Sequence, residues 1–229
     1  MKVLDFGSGG GDTSCLLASI VGPQGHVTGI DLSPEAIDAS NFLASSQNLT
    51  NVTFVRRDVM TDDLEPKFDV VFGRFVLMYC PNPAETLARL RRFVRPGGLI
   101  VFIEPDYSGG RMSVPLPFCQ KVAGLVRSAM KGSGADISMG LNLYSAFVQA
   151  GLRSPQMRLE AVVGGGEEFP GYALVVGFAL LLRSQMQHLG LDVDDINPAT
   201  LETKMREELA ASQGAVVLAN IVCAWSRVP

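Results

Sequence analysis

The residues with the types and spacing to hold a ligand lie near the start of the chain: a cluster of glycines at Gly7, Gly9, Gly10 and Gly11, and carboxylates at Asp5, Asp31 and Asp58. The run Val3-Leu4-Asp5-Phe6-Gly7-Ser8-Gly9-Gly10-Gly11 passes from an apolar, strand-like stretch into a helix expected near Asp12 or Thr13. Glycines there let the chain turn tightly and let a ligand approach where a Cβ would collide. A bend of this kind at the C-terminal edge of a parallel sheet is where ligands bind in open α/β folds. Alone it is shared with nicotinamide and flavin enzymes. The dinucleotide fingerprint G-x-G-x-x-G, however, would put its last glycine where this chain has Asp12. A carboxylate at the helix start would repel a pyrophosphate, so a ligand without phosphates fits better. Asp31 ends the second strand at the separation suited to a carboxylate that accepts hydrogen bonds from ribose hydroxyls. Arg57-Asp58-Val59 follows the third strand and offers an acid beside an apolar neighbour. Singly, Asp31 and Asp58 read equally well as helix caps, and Asp5 as a group that orders the loop through backbone amides. Together, at strand ends beside a glycine bend, they point to a ligand.

The elements that must position these groups are legible as short apolar runs: Val3 to Phe6, Val27 to Leu32, Val52 to Val55, Phe68 to Phe72 and Leu99 to Ile103. Hydrophobicity that is continuous rather than alternating indicates strands covered on both faces, and helical periodicity between them predicts a doubly wound, mostly parallel sheet. Ser33 and Pro34 start one helix, with Ala36, Ile37, Leu43 and Ala44 on one face. Another is expected from Pro83 to Val94, burying Leu87, Leu90 and Val94 and ending at Pro96-Gly97-Gly98. Its Arg89, Arg91 and Arg92, with Arg95, read as a solvated face complementing the helix dipole rather than as a nucleic-acid patch. Further on, a Gly, Ser and Pro-rich loop from Ser108 to Val114 leads to a helix from Pro117 to Met130 and a short one around Leu143 to Ala150. A strand near Met157 to Val163, helices near Tyr172 to Leu189 and Pro198 to Ala211, and a last strand near Val216 to Trp225 follow.

With 229 residues, 47% of them apolar, the chain can bury one substantial core, and a single domain over 1–229 is expected. Within it, 1–106 would form the ligand-binding core, and 107–156 and 164–214 helical segments. A net charge of −4 provides no field for phosphate backbones or anionic lipid, so neither nucleic acid nor membrane is an expected partner. Four scattered cysteines, Cys15, Cys80, Cys119 and Cys223, suggest buried thiols rather than a metal site or disulfides. The start MKVLDFG lacks the features of a signal peptide, which implies a cytoplasmic protein. The most apolar window, Tyr172 to Leu182, is too short to cross a bilayer and reads as a buried helix.

Taken in order, VLDFGSGGG, GIDLS, VRRD, FDVVFGRFVLMYCPNP and RRFVRPGGLIVFIEPD make the chain similar to the class I S-adenosylmethionine-dependent methyltransferases, small-molecule branch. The likeness covers roughly the first 106 residues, and ANIVCAWSRVP resembles the family's closing strand more loosely, implying that the last strand is antiparallel. The resemblance implies S-adenosylmethionine as cofactor. Gly7, Gly9 and Gly11 would line its methionine and ribose portion, Asp5 would help orient the amino-acid end, and Asp31, followed by Leu32, would bind the ribose. Asp58 would face the adenine amino group with Val59 beside the ring, and Gly73 and Arg74 would pass near the methionine moiety.

The same resemblance puts residues just past the fourth and fifth strands against the methyl acceptor. Tyr79, Glu104, Asp106 and Tyr107 are the catalytic candidates, Glu104 and Asp106 reading equally as turn or cap carboxylates. Met112, Phe118 and Tyr144 are candidate apolar walls. His26 enters the second strand at the edge away from the ligand and His188 follows an apolar helix, so both read as surface or packing residues. Gly73-Arg74-Phe75-Val76 is not the Asn/Asp-Pro-Pro-aromatic run of amino-methylating DNA enzymes, and Cys80-Pro81 reverses the Pro-Cys of cytosine C5 enzymes. No carboxylate ends the fourth strand, which disfavours metal-assisted transfer, and no metal is expected. A small, partly apolar metabolite is the expected acceptor. An S-adenosylmethionine-binding protein that does not transfer, or a nicotinamide oxidoreductase, would share much of this sequence. Family members usually carry helices before the first strand; here it begins almost at Met1, so missing upstream sequence is expected, or cover by the tail helices, within one chain or across a homodimer.

Overall fold

The computed structural model describes residues 1–64 and 67–229. The element order is β1 (Lys2–Phe6), α1 (Asp12–Val21), β2 (His26–Asp31), α2 (Pro34–Ser46), β3 (Val52–Arg56), β4 (Phe68–Arg74), a 3-10 turn (Leu77–Tyr79), α3 (Pro83–Arg91), β5 (Val94–Asp106), β6 (Arg111–Met112), α4 (Pro117–Gly132), α5 (Met139–Gln149), β7 (Gln156–Glu160), β8 (Val163–Gly164), α6 (Gly171–Leu181), α7 (Arg183–His188), α8 (Leu201–Ser212), β9 (Val216–Val217) and β10 (Asn220–Arg227). Seven strands form one sheet in the order β3-β2-β1-β4-β5-β10-β7, and β6-β9-β8 form a second, small one. Neighbours from β3 to β5 run parallel. The last strand is antiparallel, and just past it Val228 exchanges backbone hydrogen bonds with Gly97 and Gly98. This is the mostly parallel, Rossmann-like sheet expected.

The chain divides into two compact units: residues 1–104, 139–158 and 222–229 in the first, and 105–138 and 159–221 in the second. The chain crosses between the units within continuous strands, β5 among them, so no linker in the sequence marks the division.

In the first unit, the strand runs are apolar because both faces are covered. Val3, Leu4, Val27, Ile30, Val71 and Ile100 are buried. Val3, Ala18 and Val27 pack with Leu17 and Val21 of α1. On α2, Ile37, Leu43 and Ala44 meet Phe54 and Cys15. Its start is as expected: the Ser33 hydroxyl accepts the Ala36 N–H at 3.1 Å and Pro34 stands at the first helical position.

Helix α3 stops at Arg91, short of the Val94 expected. Val94 already pairs with Phe68 in β5, and the register then jumps so that Leu99 faces Val70. The residues between form a bulge with Gly97 at φ 74°, so Pro96-Gly97-Gly98 interrupts a strand rather than ending a helix. Arg92 is exposed, as a solvated face requires, while the other three arginines also act as tethers. Arg89 donates to the Val59 and Asp62 carbonyls and to Asp63, Arg91 to the Gly151 carbonyl, and Arg95 to Asp69.

The second unit departs further from expectation. The helix read from Tyr172 to Leu189 is two, with a break at Leu182, and the apolar α6 is buried on one face only, since Leu174 and Leu181 are exposed. Each of the strands expected at Met157 to Val163 and at Val216 to Trp225 is split, because two-residue pieces of each pair with one another in the small sheet. Among the described residues no helix is long and apolar enough to cross a membrane. Cys15 and Cys119 are buried thiols, while Cys80 and Cys223 are half-buried.

Candidate functional site

The order β3-β2-β1-β4-β5 reverses direction around β1, which opens a crevice at the C-terminal ends of β1 and β4. Backbone register sets a line of residues across that edge: Val55 pairs with Ile30, Ile30 with Phe6, Phe6 with Gly73, and Gly73 with Phe102. Asp31 and Arg74 are the last residues of β2 and β4, and Gly7 follows immediately on β1. Thus the parallel register brings together groups separated by up to 67 positions in the chain.

Beyond Phe6 the chain bends over β2, with the Gly7 and Ser8 N–H groups both donating to the Ile30 carbonyl. Gly7, Gly9 and Gly11 have φ of 73°, 52° and 90°, the left-handed region that favours glycine. Their side-chain directions differ. A Cβ on Gly7 would strike Val76 at 2.3 Å, and one on Gly11 would meet Ser40 at 2.7 Å, whereas one on Gly9 would meet nothing within 4 Å. Gly7 and Gly11 therefore serve the packing of the bend, and Gly9 faces its open side. Asp12 opens α1, exposed in its first turn.

Asp31 closes the bend. One carboxylate oxygen accepts the Gly9 N–H at 2.9 Å and the other the Ser33 N–H at 3.0 Å, leaving lone pairs on both for a ligand's hydroxyls. Leu32 beside it is exposed, an apolar side chain in water at the same edge. Asp58 is half-buried, its carboxylate accepting the Met60 N–H at 2.9 Å. Val59 is buried in the core.

Asp5 is only 1% exposed and sits in the strand beneath the bend. Burial pushes its carboxyl up to about 6, against the lowering effects of the Ser14 hydroxyl, which donates to it at 2.5 Å, and of the Arg74 charge. Ser14, on α1, is not among the residues that the sequence motifs single out; a polar residue on the inner face of an apolar helix is the signal that could have found it. The buried Ser8 hydroxyl, inside the bend, has no hydrogen-bonding partner among the described residues.

On β4, Gly73 is packed against the Phe102 ring, where a Cβ would come to 2.2 Å. Arg74 is exposed, with its guanidinium 4.6 Å from the Phe75 ring centroid. Phe75 has φ 56°, a strained conformation for an aromatic residue. The strain is held from below by Glu104, whose fully buried carboxylate accepts the N–H groups of Val76 at 3.0 Å, Leu77 at 2.8 Å and Met78 at 3.4 Å. Of the four catalytic candidates, Glu104 is thus a turn anchor, the second of the two readings its sequence position allowed.

Tyr79, at the end of the turn, is 54% exposed, and burial of its hydroxyl together with the Glu104 charge raises its pKa further. Tyr144, on α5 in the same unit, is exposed. Asp106 and Tyr107 belong to the second unit. Asp106 is buried and accepts from the Ser108 N–H at 3.1 Å and hydroxyl at 2.6 Å, again a turn carboxylate. Tyr107 packs against Phe178, ring centroids 6.4 Å apart. Met112 and Phe118 are half-buried in that unit, Phe118 beneath the Lys204 ammonium. His26, at the start of β2 and so at the sheet edge away from the crevice, meets Thr53, and His188, in the second unit, meets the Ser184 carbonyl.

The edge fits a phosphate-free nucleoside. It offers an acceptor carboxylate on the bend, a second two residues past β3, an orphaned buried hydroxyl and an open Gly9, with Asp12 where a pyrophosphate would need to lie. Among the described residues there is no group of three or more His, Cys, Asp or Glu side chains placed to hold a metal ion.

Comparison with known proteins bears on the family and the fold. The family described as methyltransferase domain matches residues 1–139. Among curated relatives, aklanonic acid methyltransferase DauC of Streptomyces sp. (strain C5) is 33% identical over 48% of this chain and 50% of its own length. Demethylmenaquinone methyltransferase of Staphylococcus aureus is 36% identical over 45% of this chain and 42% of its own. The chain therefore matches half or less of the length of these relatives. Among solved structures, the Bacillus halodurans protein BH2331 superposes with a TM-score of 0.65 at 15% identity, covering 100% of this chain and 92% of that one. A Haemonchus contortus phosphoethanolamine N-methyltransferase, solved with phosphomonomethylethanolamine and S-adenosylhomocysteine, gives 0.61 at 16% identity over 100% of this chain and 49% of its own. With the family match spanning well over half of the sequence and the sheet order to go with it, the chain belongs to the methyltransferase domain family, within the class I S-adenosylmethionine-dependent fold.

Proposed function

We propose that the protein transfers a methyl group from S-adenosylmethionine to a small, partly apolar metabolite. The observation that carries this reading is the Asp31 carboxylate, tied to the Gly9 N–H at the point where the sheet order reverses, with acceptor capacity left over. The relatives named for aklanonic acid and demethylmenaquinone support an acceptor of this size class. A net charge of −4 favours a small molecule over nucleic acid, and four cysteines that form no disulfide among the described residues suit the cytoplasm.

When bound, the cofactor supplies a methyl group already made electrophilic by its sulfonium. What remains for the protein is alignment and the exclusion of water. Asp31 would accept the ribose hydroxyls, and being fixed by two backbone amides it loses little freedom in doing so. Asp58 would accept at the base, with exposed Leu32 covering an apolar face. Asp5, beneath the bend, holds Ser14 and adds negative charge below the place assigned to the amino-acid end. Glu104 fixes the turn after β4 and so fixes where Gly73, Arg74 and Tyr79 stand. Positioning of this kind is worth up to roughly 7–11 kcal/mol of a displacement barrier. Tyr79, with its pKa raised, keeps its proton at neutral pH and would act as a hydrogen-bond donor rather than a base.

Incubation with methyl-labelled S-adenosylmethionine and a metabolite extract tests this: label should move to a small molecule with stoichiometric release of S-adenosylhomocysteine. Failure of the protein to bind either form of the cofactor overturns the reading. Binding with no transfer to any fraction leaves a cofactor-binding protein that is not a transferase.

A further inference from the structure

The second unit contains a cavity of about 660 Å³, within the roughly 300–1,000 Å³ of small-molecule sites. Two cations, Arg127 and Lys131, stand on its wall with Tyr107, Asp136, Ile137 and Ser138. The cations are four residues apart on α4, so they share one helix face, where like charges are mutually unfavourable unless an anion lies between them.

Of the unit's other cations, Lys121 is held by Asp192 and Asp195, Lys204 by Asp195 and Arg206 by Glu202, while Arg183 donates to the Ile196 carbonyl and Arg111 is exposed outside the cavity wall. Among the described residues none holds Arg127 or Lys131 in an ion pair. Asp136 is the one acid on the cavity wall, with one oxygen accepting the Ser138 N–H at 2.9 Å. The lining therefore carries a net positive charge in a protein whose total is −4.

Lys131 lies in the last turn of α4, where it complements the helix dipole. That role leaves Arg127, one turn earlier, unexplained. The carbonyls at this helix end, which would repel an anion, are themselves engaged: Ala129 and Met130 by the Ser133 N–H, Met130 again by Ala135, and Lys131 by Gly134. The Tyr107 ring, packed on Phe178, and Ile137 give the same cavity an apolar side.

We propose that this cavity binds a small organic anion, a carboxylate or phosphate ester, with its charged head between Arg127 and Lys131 and its apolar body along Tyr107 and Ile137. The site stands on the second unit alone and does not depend on the methyl-transfer reading.

Calorimetric titration of the full chain with benzoate, cinnamate and phenyl phosphate, with methyl benzoate and methyl cinnamate as neutral controls, tests it. At least one anion should bind one to one, at least tenfold more tightly than the neutral esters. Its affinity should fall at least tenfold in both Arg127→Gln and Lys131→Gln, and fall with added salt, while Lys131→Arg retains it. Binding of S-adenosylhomocysteine by the same variants should be unchanged, which reports that they fold. Equal affinity for acid and ester, indifference to both substitutions, or no binding by any of the three anions overturns the site. If S-adenosylhomocysteine still binds in that case, the anion site alone has failed.

Discussion

The Ser14 hydroxyl on α1 meets the Asp5 carboxylate on β1 at 2.5 Å, joining the first strand and first helix beneath the glycine bend through one buried polar contact. Burial raises the Asp5 pKa from 3.8 to about 6, so between these values the native state binds more protons than the unfolded chain. Asp5 therefore removes stability as pH rises through that window, by about 1–3 kcal/mol in all. Asp69, Asp192 and Asp195, whose pKa values are lowered, act in the opposite sense. The measurement is accordingly a difference: Asp5→Asn, which keeps an acceptor for Ser14, against the native chain in urea unfolding from pH 4 to 8. The variant should gain relative stability as pH rises and level off above about 6. A difference that does not vary with pH would show that Asp5 is not desolvated.

Asp31 is expected to separate binding from folding. It is half-buried, so Asp31→Ala removes two backbone contacts at a surface where water can replace them. Its ligand contact has no such replacement. We expect S-adenosylhomocysteine affinity to fall by about 1–3 kcal/mol, the worth of a charged acceptor, with a smaller change in thermal stability. Unchanged affinity in a titration would remove Asp31 from the site.

Gly9 and Gly11 should respond differently to the same added methyl group. Gly11→Ala drives a Cβ to 2.7 Å from Ser40 and 3.0 Å from its Cα, at φ 90°, so the bend and α2 must part; a loss of about 2–4 kcal/mol of stability follows. At Gly9 the new methyl enters open space at φ 52°, costing about 1–2 kcal/mol of backbone strain. It stands where the ligand would pass, and S-adenosylhomocysteine binding should be lost in a protein that still unfolds cooperatively. Tight binding by Gly9→Ala would place the ligand off the bend.

Much of the first unit was legible because each of its signals has one physical cause. Runs such as Leu99 to Ile103 are apolar throughout since both faces are covered, and Ser33-Pro34 can hardly do other than start a helix. Asp31 and the glycines were readable as a pair because the parallel register fixes which strand ends meet. The second unit carried weaker signals. Strands of two residues, such as Val163–Gly164 and Val216–Val217, have no periodicity to read, and their pairing depends on contacts distant in sequence. The β5 bulge was hidden because Pro96-Gly97-Gly98 is also what ends a helix. Glu104 had a signal, an acid inside the apolar run Phe102-Ile103-Glu104-Pro105, but sequence alone does not say whether such an acid faces a ligand or the backbone.

That distinction gives the last prediction. The Glu104 carboxylate is fully buried and accepts N–H groups from Val76, Leu77 and Met78, two of them in a segment that itself is buried. Glu104→Ala would leave these donors without an acceptor and open a void beneath the strained Phe75, at a cost of about 3–5 kcal/mol. Glu104→Gln, with one acceptor oxygen and a donor where the second oxygen was, should lose about half as much, because its amide nitrogen must face at least one N–H. A catalytic carboxylate would give another pattern: both variants near native stability, with transfer abolished. Denaturant unfolding of the two variants, read beside their S-adenosylhomocysteine affinity, separates these cases. Stability unchanged in Glu104→Ala would mean that the turn after β4 is held by something other than this side chain, and would return Glu104 to the candidates for contact with the acceptor.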